Sequence, residues 1–324
     1  MKKSLHILIF LLISLESLPQ DISFSHINHS RLHLNPGFAG SPKIADMTLS
    51  HRNFSPTDFG NYLTYRASFS RHLDWANGGA ALEFLRDDQG QGAISRTYIG
   101  AMYAYDLKLR KNLTIHPALE VRYAYYRLNI RDLVFPEMFD RSQWKITGTP
   151  EENISGKSDH YLEFNTGFVL NYRNEYLRSY RDWTLGVAVR HLNKPGSFLR
   201  DQQAIPRQVI VYFDMEIFLK YLDTYRSSTM LIPTFSYARQ KNTDRFFYGT
   251  YLKYETIRLG AFIRHDSGLH YLVPSFQIGA AFSEFQIDYS YDAGFLNYKA
   301  TPVFSGAHEV TLSINFSIKE SDRQ

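Results

Sequence analysis

From residue 45 onward, apolar and polar residues alternate with a period of two, the mark of strands that show one face to each of two environments. Between Leu113 and Tyr125, one face carries Leu113, Ile115, Pro117, Leu119, Val121, Tyr123 and Tyr125, and the other Thr114, His116, Glu120 and Arg122. Ile257, Leu259, Ala261 and Ile263 oppose Arg258, Gly260, Phe262 and Arg264. Phe285, Ile287, Tyr289 and Tyr291 oppose Gln286, Asp288, Ser290 and Asp292, and Val310, Leu312, Ile314 and Phe316 oppose Glu309, Thr311, Ser313 and Asn315. No helical period of comparable length competes.

The pattern predicts roughly fourteen strands, an even number in the range of bacterial outer-membrane barrels. They fall near residues 45–53, 62–71, 77–86, 94–107, 113–127, 159–172, 181–191, 207–220, 227–238, 245–254, 256–265, 271–282, 284–292 and 307–318. Strands this weakly apolar cross a bilayer only as a closed barrel, which pairs every backbone N–H and C=O and leaves no edge. The predicted fold is therefore all-β, a transmembrane antiparallel barrel spanning 45–318, with apolar positions outward and charged positions lining the lumen. Tyr103, Tyr105, Tyr123, Tyr125 and Tyr172, near strand ends, are expected in interfacial girdles. Odd-numbered connections (87–93, 128–158, 192–206, 293–306) read as long and outside the cell, even-numbered ones such as Lys108–Asn112, Tyr254–Glu255 and Ser283 as short and periplasmic.

Residues 21–44 do not alternate and are rich in His, Asn and Ser. They read as a non-strand periplasmic arm or plug, and residues 319–324 as a periplasmic tail. Upstream, Met1-Lys2-Lys3 and the apolar run Leu5–Leu15 read as a signal peptide over residues 1–20, cut between Ser17 and Asp21. No later run of apolar residues is long enough for a membrane-spanning helix.

Composition sharpens this picture. Aromatic residues make up 15% of the 324, yet the mean hydropathy is −0.32. That pairing suits a barrel with an apolar outside and a polar lumen; composition alone still allows a Tyr-rich soluble sandwich. The net charge of +4 is spread evenly and forms no basic block, so no nucleic-acid partner is expected. There is no Cys, which excludes disulfides and a Cys-linked lipid anchor.

Candidate chemistry is sparse, and no catalytic residue, metal site or cofactor is expected. Hydrolase, zincin, phosphate-loop and dinucleotide motifs are missing. His26, His29 and His33 have metal-like spacing on a helix, but without a nearby carboxylate they read as polar residues of a solvated arm. Asp87-Asp88-Gln89-Gly90-Gln91-Gly92 looks like part of a calcium loop, lacks its terminal Glu, and reads better as a Gly-containing turn.

Several segments carry a family resemblance. They are Gln20–His26, then Asn35-Pro36-Gly37-Phe38-Ala39-Gly40 within Leu34–Ser41, and Gly78 through Asp88 and Gly90. Leu133–Asp140, Gly186 through His191 to Pro195, and Gly306 through His308 and Glu309 to Leu312 follow. In this order they resemble the PorP/SprF family of the Bacteroidetes type IX secretion and gliding machinery. The resemblance implies an outer-membrane protein that supports secretion, or holds secreted proteins at the cell surface, without catalysis. Implied partners are outer-membrane lipid, other type IX components and exported proteins bearing a C-terminal signal domain. Two other readings stay open: a channel or FadL-like transporter of small or hydrophobic solutes, and an outer-membrane lipase. The long connection 128–158 is expected outside, with Phe135, Pro136, Phe139 and Trp144 as partner-binding aromatics; alternatively Leu133–Phe139 folds inward as a plug.

Overall fold

The computed structural model describes residues 21–41, 45–57, 60–90, 93–129, 139–140, 145–146, 157–173, 181–196, 204–221, 228–296 and 303–316. Among these, fourteen long strands form one sheet that closes on itself. In chain order they are β1 (Ala45–Thr57), β2 (Gly60–Leu73), β3 (Gly78–Gln89), β4 (Ile94–Tyr105), β5 (Leu113–Leu128), β6 (Lys157–Tyr172) and β7 (Arg181–Arg190). There follow β8 (Gln208–Tyr221), β9 (Ser228–Gln240), β10 (Thr243–Tyr254), β11 (Ile257–Asp266), β12 (Tyr271–Ala281), β13 (Phe285–Leu296) and β14 (Val303–Phe316). Each predicted segment falls on one of these strands. Neighbours pair antiparallel, and β1 meets β14 in register from Ala45 opposite Phe316 to Ser55 opposite Gly306. A short strand, Leu107–Arg110, lies beside β5, and Phe139–Asp140 pairs with Lys145–Ile146 within the β5–β6 connection.

The alternation seen in the sequence sets which face each residue takes. In β3, Glu83 and Leu85 are 3% and 1% exposed inside, while Leu82 and Phe84 are 59% and 41% exposed outside. In β5, Glu120 and Arg122 point in, whereas Leu119 and Val121 point out. Arg258 and Leu259 in β11 divide in the same way. The outer surface is thus an apolar belt, and the inner wall carries charged groups among neutral polar and apolar ones. Tyr103, Tyr105, Tyr123 and Tyr125 lie outward as expected, the first pair near the end where β5 begins and the second near the end where it finishes. Tyr172 is stacked against Trp183, at 5.6 Å between ring centroids.

The barrel has two mouths. The terminal mouth is where β1 begins and β14 ends; the far mouth carries the β1–β2, β3–β4 and later odd-numbered connections. The two longest connections, 129–156 and 191–207, do leave from the far mouth as expected. The strict long–short alternation does not hold. The β9–β10 connection at the far mouth is Lys241–Asn242 alone, and the terminal mouth carries stretches as long as 173–180 and 222–227. The cause is local. Positive φ at Lys241 (54°) lets a two-residue turn close that hairpin, so its length is set by turn chemistry rather than by the side it faces.

The non-strand segment does not hang below the barrel as an arm. Residues 21–41 lie inside the lumen, hydrogen-bonded to strands all around the ring. Ile27, Leu32, Phe38 and Ala39 bury against Val169, Tyr212, Phe247, Tyr251 and Phe262 of the wall.

Candidate functional site

The segment threads the lumen from the far mouth to the terminal one. Asp21 sits at the far mouth, where its carboxylate is 3.0 Å from Nε2 of His191, just beyond β7. Its carbonyl accepts from Nη1 of Arg245 at 3.0 Å, near the start of β10. Nearby, the Phe24 carbonyl accepts from Arg264 Nη2 at 2.9 Å. At the opposite end, Gly40 N donates to Ser70 Oγ at 2.8 Å, and the chain then enters β1 at the terminal mouth.

Halfway along, a single carboxylate grips the segment's backbone. Glu309, 0% exposed, accepts from Ser25 N at 2.7 Å and His26 N at 3.3 Å. Arg52 binds both Glu309 (3.2 Å) and Asp292 (2.8 Å), and it donates to Ser25 Oγ. Ser25 Oγ in turn donates to Asp292 at 2.6 Å. Two backbone donors that a non-helical, non-strand segment would leave unpaired are therefore met by a charged wall.

Further on, His29 lies 2.9 Å from Asp288, Arg31 donates to Asp214 at 2.6 Å, and His33 lies 3.3 Å from Glu83. Arg31 also spreads over the rings of Phe38 and Tyr212. The single α-helical turn here, α1 (Arg31–Leu34), is too short to hold itself and relies on these contacts. Glu83 continues inward to Arg66 and Arg122, and Arg122 to Glu120 and Glu163. Glu163 closes the chain of pairs on His191, which holds Asp21.

The segment's last part seals against backbone. Asn35 Nδ2 donates to the carbonyls of Phe168 (2.9 Å) and Val187 (3.1 Å), and its Oδ1 accepts from Gly37 N at 2.8 Å. Gly167 must lack a side chain here, since a Cβ would lie 2.3 Å from Asn35 Oδ1. Ala39 and Gly40 pass so close to β3 that a Cβ on Gly79 would lie 2.2 Å from the Ala39 carbonyl oxygen. Gly40 also has φ +73°, a left-handed conformation that favours glycine.

The setting moves the segment's titrations. Burial pushes His29 down to about 4 against the pull of Asp288, and burial together with Arg190 does the same for His33. Both are neutral at pH 7. For His191 burial opposes the charged form, but Asp21 and Glu163 prevail and raise it to about 9. Burial would raise Asp21; its bond to His191 and the charges of Arg190 and Arg245 outweigh this and hold it well below the usual carboxylate range.

These contacts correct the expectation of a solvated histidine arm: His26 and His33 are 1% and 5% exposed. Their carboxylate partners were invisible locally, because Glu309, Asp288 and Glu83 come from strands far along the chain. Of the motif residues, Asn35, Pro36, Gly37, Phe38, Ala39, Gly40, His191 and Glu309 converge on the threaded segment. Pro195 is buried beside the far mouth, its carbonyl accepting from Ile205 N at 2.9 Å. His308 faces outward against Tyr289 and Tyr291. Asp88 and Gly90 lie at the far-mouth turn of β3–β4, where Asp88 accepts from Arg86 and Ser95, and Asp87 from Thr64 and Gln89. Asp140 and Phe139 lie on the small hairpin, described by backbone only; Phe135, Pro136 and Trp144 fall outside the described residues. Sequence reasoning missed Arg52, Arg66, Glu83 and Asp292 as partners of the segment. Their signal was inward parity on strands otherwise free to be polar without charge.

Among solved structures, the chain is similar to the CymD monoaromatic hydrocarbon channel, at 12% identity and TM-score 0.47 over 89% of this chain and 93% of that one. It is likewise similar to the Pseudomonas putida toluene transporter TodX (8%, TM-score 0.46, 88% and 93%) and to a Pseudomonas aeruginosa FadL homologue (10%, TM-score 0.45, 88% and 93%). None of the curated proteins matches the chain in sequence. The model of the type IX secretion system membrane protein PorP/SprF matches residues 17–314, nearly the whole chain, and this outer-membrane barrel belongs to that family.

Proposed function

We propose that the protein supports type IX export, or holds exported proteins at the cell surface, as a non-enzymatic barrel whose work is done at its far mouth. The observation that favours this over a solute channel is the filling of the lumen by residues 21–41, pinned by Glu309, Asp214 and Glu83. A pore stoppered by its own chain through buried hydrogen bonds and an ion pair is closed at rest, so partner contact falls to the mouths and their connections. The far mouth, with connections 129–156 and 191–207, faces outside on this reading, and the apolar belt meets lipid. Partners are other type IX components and exported proteins carrying a C-terminal signal domain.

A strain lacking the protein tests the reading. Specific exported proteins should disappear from the surface or be shed into the medium, while uptake of small and hydrophobic solutes stays unchanged. Intact surface proteins together with lost uptake would replace this reading with the channel.

A further inference from the structure

A cavity of about 70 Å³ lies below the far mouth, between the start of the threaded segment and the inner wall of β7–β11. Arg190, Arg245 and Arg264 all line it. Two of these are committed, Arg245 to the Asp21 carbonyl and Arg264 to the Phe24 carbonyl and, at 3.6 Å, to Asp292. Arg190 is not. It is 4% exposed, it forms no salt bridge among the described residues, its Nη1 reaches only His33 Nε2 at 3.5 Å, and its Nη2 has no hydrogen-bond partner. Ser30 Oγ, on the same cavity, is also buried without a partner. A guanidinium taken out of water with no anion in direct contact, only carboxylates at longer range with Asp21 among them, is costly, and a protein normally compensates it with a hydrogen-bonded carboxylate or phosphate.

We propose that this cavity binds the carboxylate of a small organic acid or of a chain terminus, with Arg190 as its main ligand. The guanidinium fork matches a carboxylate in two parallel hydrogen bonds, and Ser30 Oγ supplies a further donor. The lining also includes the apolar Ile22, Ile27, Ile210 and Phe247, which accept the carbon atoms that follow a carboxylate. The volume holds on the order of five water-sized spheres, room for the carboxylate and one or two carbons. A longer chain would have to continue towards the far mouth. The site does not depend on the export reading and stands if that reading fails.

The test uses the full-length protein in detergent micelles, titrated with sodium acetate against sodium chloride at equal ionic strength. Binding is read by calorimetry and by the thermal unfolding midpoint. Acetate should bind saturably and raise the midpoint; Arg190→Gln should weaken binding at least tenfold, and Ser30→Ala at least threefold. Ser30→Ala removes only an unpaired hydroxyl, so it reports even if Arg190→Gln does not fold. Identical behaviour in acetate and chloride, or Ser30→Ala binding as tightly as the unaltered protein, overturns the proposal, as does binding of inorganic phosphate without acetate. A short peptide and its C-terminally amidated twin separate the sources. Tighter binding of the free-carboxylate peptide than of acetate identifies a chain terminus, and acetate binding with neither peptide bound identifies a small acid.

Discussion

Replacing Glu309 by Gln keeps the size of the side chain and removes its charge. Glu309 holds two backbone N–H groups of the segment, at 2.7 and 3.3 Å, and one nitrogen of Arg52 at 3.2 Å. Gln offers one oxygen for three donors and turns its own amide N–H₂ toward the rest. A hydrogen bond to a charged group contributes about 1.5–3 kcal/mol, and breaking a buried ion pair by removing one partner costs about 3–5 kcal/mol. The shortest bond counts fully and the two longer ones less, so the docked segment loses about 3–5 kcal/mol, a rise of roughly 150- to 4,000-fold in its undocked population. In planar lipid bilayers the unaltered protein should be almost silent, Glu309→Gln should open far more often, and deletion of residues 21–41 should conduct continuously. Arg86→Gln is the control, because its pair with Asp88 is half in solvent and is worth at most about 1 kcal/mol. Openings unchanged by Glu309→Gln while the deletion conducts would refute the clamp. A silent deletion would refute the plug itself.

Other consequences are equally direct. The docked segment should be tightest near pH 6.5: His29 and His33, both lowered to about 4, contribute fully above their unfolded value and lose that contribution as pH falls from 6.5 to 4. His191, raised to about 9, contributes fully below 6.5 and loses its share as pH rises to 9, so the opening frequency in bilayers should increase on both sides, and a flat profile contradicts it. Gly79→Ala should displace Ala39–Gly40 and make the segment cleavable by protease in purified protein, since its Cβ would sit 2.2 Å from a carbonyl oxygen. Leu259→Arg, on the outward face, should cost about 2–4 kcal/mol when unfolding from vesicles is followed in denaturant; no cost would mean that this face does not meet lipid. The chain has no Cys, so Asn242→Cys at the far mouth should label on intact cells with an impermeant maleimide while Ser283→Cys at the terminal mouth should not.

The barrel was legible because period-two alternation is a local signal. Glu120 and Leu119 declare opposite faces whatever strand lies beside them. The plug's contacts were not legible, because they join residues nearly the whole chain apart. Nothing near Ser25 or His26 in sequence announces Glu309, although Glu309 itself was placed correctly on the inner face. Arg258 shows the same limit: its parity puts it in the lumen, but only the closed barrel sets it over Tyr251 and 3.2 Å from His29, so its removal disturbs the segment as well as the wall. The Asn35–Gly40 motif was noticed as a resemblance, but its reason, the close passage over Gly167 and Gly79, exists only once the barrel has closed.

The central claim is that a stoppered barrel meets its type IX partners at the far mouth. Site-specific photo-crosslinking in native membranes tests it most directly, with the reactive group at Asn242, at the far mouth, or at Leu119, which is 66% exposed on the outer belt. The account predicts adducts with exported or type IX proteins from Asn242 and none with exported proteins from Leu119. Exported-protein adducts from Leu119 alone, or none from either position in cells actively exporting, would contradict it.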